Sequence, residues 1–238
     1  MIKFSMVILM IGTFFIGHSQ LITTTSKKVS KLSFDSTTNI FFNVDVVSCF
    51  RELAPNASHL NTPLGKRADE TPLTLPSYTL GISIPLTKWL KINTGLSMLQ
   101  NGEAYNWYSS VDDSSYSYTS VFRYVSMPIA LSAAYGKKLK LHVGLGIIPG
   151  IFTSYKKSEA WTDEDGTNSS EETTIQDDLN SFSIAAQATM GFEYFFKSFS
   201  IRVSYIYRRQ LNNTYNEFED YIHRSIASGG QIAFTYFL

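Results

Sequence analysis

Residues 121–155, VFRYVSMPIALSAAYGKKLKLHVGLGIIPGIFTSY, decide the fold. Taken two at a time, Val121, Val125, Met127, Ile129, Leu131 and Ala133 form one row. Tyr124, Ser126, Ala130, Ser132 and Ala134 form the other. Beyond Gly136-Lys137-Lys138 the alternation resumes. Leu139, Leu141, Val143, Leu145, Ile147 and Ile151 are apolar, while Lys140, His142, Gly144, Gly146 and Gly150 are polar or tiny. Period-two patterning across a short Gly-containing turn predicts an antiparallel hairpin. Its arms are about twice the roughly 5–6 residues of a soluble strand. They match the roughly 9–11 tilted residues with which a strand crosses a bilayer.

Working outward, the same alternation recurs in six further stretches. They are Ile40–Phe50, Tyr78–Leu86, Leu90–Gln100, Phe182–Phe196, Phe199–Gln210 and the chain end around Ile232, Phe234, Tyr236 and Leu238. With the hairpin, that makes eight strands. Short links near 87–89, 136–138 and 197–198 alternate with long ones near 51–77, 101–120, 155–181 and 211–226. Such sorting predicts an all-β, eight-stranded antiparallel up-and-down transmembrane β-barrel, with both termini periplasmic and the long loops extracellular. Pro128 and Pro149 interrupt the pattern and are expected at bulges.

The first 19 residues are expected to be a signal peptide: Lys3, then the apolar run Phe4–Ile16, then small residues before Gln20. Residues 20–38, rich in Ser, Thr and Lys, read as a flexible periplasmic leader, and 39–238 as the barrel. Twenty Lys and Arg balance twenty Asp and Glu, so the chain lacks the basic footprint of a nucleic-acid binder. No later stretch carries the roughly 18 apolar residues of a membrane helix. The single Cys49 has no internal disulfide partner.

At Tyr124-Val125-Ser126-Met127-Pro128-Ile129-Ala130-Leu131 the chain resembles the PorT-like family of outer-membrane β-barrels, in which such a strand follows a Gly-containing one like Thr94-Gly95-Leu96-Ser97. The resemblance implies an outer-membrane barrel of gram-negative bacteria, some of whose relatives serve protein secretion to the cell surface. It carries over no catalytic residue.

Candidate chemistry is sparse. His142 shares the polar row with Ser and Asp residues, but nothing in the spacing assembles a Ser-His-Asp triad. His59 and His223 fall in separate long loops without the Cys/His clustering of a metal site. Asp163-Glu164-Asp165-Gly166 has the start of a calcium loop without its later ligands. Asp112-Asp113 is a faint protease-like feature with no matching histidine. Neither cofactor nor metal is expected. Tyr105, Trp107, Tyr108, Tyr116 and Tyr118 read equally as a binding surface or as a lipid-facing aromatic belt. A two-residue turn at Lys197-Ser198 would set Glu193 opposite Arg202 as an ion pair in the lumen, with Asp45, His142 and Arg208 as further polar filling.

These readings favour a non-enzymatic monomer with a structural or interaction role at the cell surface, linked to secretion. Its expected contacts are outer-membrane lipid and lipopolysaccharide, the barrel-insertion machinery and a secretion or surface protein. A small outer-membrane enzyme acting on lipid or peptide, and a secreted lipocalin-like carrier, are the alternatives.

Overall fold

The computed structural model describes residues 37–55, 69–109, 111, 114–163, 165–174, 178–215 and 221–238. The expected signal peptide and all but the last two residues of the leader lie outside the described residues. So do His59, Asp112, Asp113, Glu164 and Asp177.

Among the described residues eleven strands follow in order. They are β1 (Asn39–Pro55), β2 (Glu70–Thr71), β3 (Leu73–Pro85), β4 (Leu90–Tyr108), β5 (Ser115–Ser126) and β6 (Ile129–Gly136). Then come β7 (Leu139–Thr162), β8 (Asn168–Thr173), β9 (Phe182–Phe195), β10 (Phe199–Gln210) and β11 (Tyr221–Phe237). β5 and β6 are two halves of one stave, since β4 and β7 each pair with both. The ring β1–β3–β4–β5/β6–β7–β9–β10–β11 is antiparallel throughout and closes where β11 pairs with β1, from Asn39↔Phe237 to Pro55↔Tyr221. It is an eight-stranded barrel. Closure satisfies edge groups that would cost several kcal/mol each, roughly, in lipid.

The pleat decides which environment each face meets. Met98 is 63% exposed and Leu145 64%, whereas Ser97, Ser126, His142 and Arg202 are buried inside. A lipocalin-like carrier would turn the apolar row inward; here it points outward, which corrects that alternative. Lys197-Ser198 forms the two-residue turn, with Phe196 N–H donating to Phe199 O at 2.8 Å. Arg202 therefore faces Glu193 across β9 and β10.

Two expectations need revision. The stave β5/β6 breaks at Met127-Pro128, where Met127 N–H donates to Pro149 O at 2.9 Å. Pro128, which has no N–H to donate, sits in the gap between the two halves, and Pro149 lies across from its neighbour Met127. The long links are also shorter than expected, because strands run far into them. β4 and β5 pair up to Tyr108↔Ser115, and β5 and β7 up to Ser115↔Thr162. β7 then turns at Asp163 into β8. Outward residues there become small or polar (Ala104, Ser117, Ser158), while the inward row becomes aromatic. The inversion hid these strands from a search for an apolar outward row.

This upper sheet, β2–β4–β5–β7–β8, approaches β3 closely. A Cβ on Gly102 would lie 2.7 Å from the Ser120 backbone oxygen as well as 2.7 Å from Leu73 Cδ2 and 2.8 Å from Leu75 Cδ1, so a larger residue would force the backbone of β5 away.

Candidate functional site at the loop end

The inward rows share one order of chemistry. At the end carrying the short turns, the lumen is polar. Arg208 Nη1 lies 3.6 Å from Asp45 Oδ2, and Gln231 Nε2 donates to Asp45 Oδ1 at 2.9 Å. Arg202 Nη1 donates to His142 Nε2 at 2.9 Å, which makes that histidine nitrogen an acceptor. Glu193 accepts from Ser200 Oγ. The expected Glu193–Arg202 ion pair is therefore not formed: the two residues face each other in register, but Glu193 is taken by Ser200 and Arg202 by His142. All five residues expected in the lumen, Asp45, His142, Glu193, Arg202 and Arg208, occupy this buried layer. The cavity bordered by Asp45, His142 and Arg202 holds only about 30 Å³, room for about one water.

Next comes an apolar layer to which every stave contributes. Val47 and Cys49 come from β1, Leu75 from β3, Leu99 from β4, Phe122 and Tyr124 from β5, and Ile148 from β7. Ala185, Ile206 and Ala227 come from β9, β10 and β11. They gather in two buried clusters, one around Phe122 and one around Ile206, which together fill the lumen as a seal. Sequence reasoning missed the seal, although its signal was present: Leu99, Ile148 and Ile206 are apolar residues on otherwise polar rows.

Above the seal the interior is polar again. His223, expected in a loop, lies on β11, and its Nε2 is 2.7 Å from Glu103 Oε2, both side chains buried. Arg51 Nε donates to Glu70 Oε1 at 2.8 Å and its Nη1 to Tyr118 OH at 2.7 Å. From here the inward face of β4, β5 and β7 becomes an aromatic wall. Tyr105, Tyr118 and Glu159 form one cross-strand row, and Trp107, Tyr116 and Trp161 the next row out. Tyr105 and Tyr118 stack at 5.7 Å. Tyr105 OH donates to Asp69 Oδ2 at 3.2 Å, and Tyr116 OH to Glu159 Oε1 at 2.5 Å. Burial, then the hydrogen bond to Glu159, raises the Tyr116 phenol; burial and the nearby Glu103 charge raise that of Tyr118. Both are neutral hydroxyls. Partial burial works against the Glu159 charge, yet hydrogen bonds from Lys157 and Tyr116 hold its carboxyl below the usual range.

Four of the five aromatics singled out in the sequence therefore face inward over the mouth and do not form a lipid belt. Asp163, Asp165 and Gly166 of the calcium-loop-like motif lie between β7 and β8. Gly166 N–H donates to Asp163 O at 2.9 Å with Gly166 at φ 77°, a left-handed conformation that suits glycine. Among the described residues no three His, Cys, Asp or Glu side chains gather in a metal-binding group.

The family model for the outer membrane protein beta-barrel domain matches residues 69–216. No curated protein matches the chain. Among solved structures, the chain is similar to Neisserial surface protein A at 10% identity, covering 84% of this chain and 97% of that one, with a TM-score of 0.39. OprG from Pseudomonas aeruginosa is 8% identical, with 84% and 96% covered and a TM-score of 0.39. Ail, the attachment invasion locus protein of Yersinia pestis, in complex with a heparin analogue, is 12% identical, with 83% and 99% covered and a TM-score of 0.30.

Proposed function

The chain belongs to the outer membrane protein beta-barrel domain family, and from that premise we propose that it is a monomeric surface interaction protein. Its barrel sits in the outer membrane among lipid and lipopolysaccharide. Both termini and the short turns are periplasmic, and the loop end is extracellular. One observation carries this reading: the lumen is sealed, while the Trp107–Tyr116–Trp161 row stands partly open above the seal. A sealed barrel suits recognition at its mouth better than transport. The non-enzymatic reading is supported by the histidines, since Nε2 of His142 meets Arg202 and Nε2 of His223 meets Glu103 rather than a serine hydroxyl. The motif Tyr124–Leu131 supports a place among PorT-like proteins and, through them, a link to secretion.

Val111, 93% exposed between β4 and β5, offers the test. With Cys49 replaced by Ser, a membrane-impermeant maleimide on intact cells should label Val111→Cys and leave Ser198→Cys unlabelled. Labelling at Ser198→Cys alone would invert the topology and end this reading. Loss of cargo from the surface of a deletion strain would support the secretion link, and unchanged surface cargo would remove it.

A further inference from the structure

The aromatic wall repeats one recognition pattern, and in one copy no cation is found among the described residues. In the first copy, the Arg51 guanidinium lies 5.6 Å from the Tyr105 ring centroid and 6.0 Å from that of Tyr118, and it bonds to Glu70. In the second, the Lys157 ammonium lies 5.2 Å from the Tyr118 centroid and 2.8 Å from Glu159. Each is a cation over a ring face with a carboxylate beside it, an arrangement favoured by the ring quadrupole. The next row out has the same parts. Trp107, 39% exposed, neighbours Tyr116, which neighbours Trp161 on β7. On β8, Ser169 lies opposite Trp161 and Glu171 opposite Glu159, so Glu171 is diagonal to Trp161 on the same face. Glu171 is exposed and has no ion-pair partner among the described residues. No Lys or Arg of the described chain lies over Trp107, Tyr116 or Trp161.

Charge points the same way. The described residues of 156–173 carry Lys156 and Lys157 against Glu159, Asp163, Asp165, Glu171 and Glu172. Both lysines are already paired, with Glu172 and Glu159. We infer that the Trp107–Tyr116–Trp161 row with Glu171 docks a basic segment of another polypeptide, whose Arg or Lys side chain takes the place that Arg51 and Lys157 fill in the rows below. This rests on the surface-interaction reading and names the partner's chemistry.

The test uses the full chain folded in detergent micelles, with Trp89 at the opposite end changed to Phe so that Trp107 and Trp161 report. A hexa-arginine peptide should quench their fluorescence saturably. A Gly-Ser peptide of equal length, a hexa-glutamate peptide and magnesium ions alone should not. Trp161→Ala leaves the charge unchanged and should weaken binding about tenfold, as should Glu171→Gln. Asp165→Asn, at the hairpin tip, should retain affinity. Trp161→Leu serves as a second variant, and altered gel mobility on boiling verifies folding of each. Absence of binding would overturn the inference. So would undiminished binding by Trp161→Ala or Trp161→Leu, or equal losses in Glu171→Gln and Asp165→Asn. Equal binding of magnesium or the control peptides would do the same. Failure here with Val111→Cys still labelled on cells would remove this inference alone.

Discussion

Arg202 shows how far a single residue can be placed in advance. The turn at Lys197-Ser198 and the strand period put it on the inward row opposite Glu193, as the structure has it. Its hydrogen bond to His142 is another matter, because that residue comes from β7, sixty positions away in the chain. Glu193 and Arg202 nevertheless line one small buried cavity together with His142. We expect Glu193→Gln and Arg202→Met each to lower the unfolding midpoint in denaturant. The double change should cost less than their sum by about 0.5–3 kcal/mol, the usual range for coupled neighbours. Strict additivity would mean that the lumen screens the two charges from one another.

At the scale of the element, β7 is the longest strand, 24 residues from Leu139 to Thr162. It changes character along its length. Its first half sets Leu141, Val143 and Leu145 outward. Its second half leaves the apolar belt and carries Lys157, Glu159 and Trp161 on the inward face of the upper sheet. The Lys157–Glu159–Tyr116 contact ties β7 to β5 there, and it is acid-sensitive. The folded Glu159 carboxyl lies below its ordinary value of 4.5. Its contribution is therefore fully present above that value and is lost as pH falls through the folded pKa. Acidification from pH 7 to below 4 should loosen Tyr116 and alter the near-ultraviolet circular dichroism of the aromatic wall. Glu159→Gln should remove that step. A step that persists in Glu159→Gln would assign it to another carboxyl.

For the whole molecule, the seal matters most. A narrow barrel has space for packed side chains, and here the packing is layered: polar, apolar, polar. Ions crossing it would have to pass the buried apolar side chains of Leu99, Phe122, Ile148 and Ile206. In planar bilayers the folded protein should show no ion conductance. The combined change Phe122→Ala and Ile206→Ala should open a measurable leak at a cost of roughly 2–5 kcal/mol per site. Conductance by the unaltered protein comparable to that of the variant would show that the layer does not seal.

The sequence by itself determined the strand count, the sense of the pleat and the register of the β9–β10 turn. All three follow from local period and turn length, and a one-residue slip would throw an entire apolar row into the lumen. It also placed Asp45, His142, Glu193, Arg202 and Arg208 on the inward face. Only the tertiary structure decided which of them touch, because partners such as His142 and Arg202 meet across the barrel rather than along the chain. It alone showed that Leu75, Leu99, Ile148 and Ile206, scattered singly over four strands, gather into two buried clusters inside the barrel. It alone turned Tyr105, Trp107, Tyr116 and Tyr118 toward the mouth. Above the apolar belt the outward row no longer faces lipid, so hydrophobicity ceases to mark the faces, and only the continued backbone pairing shows where each side chain points.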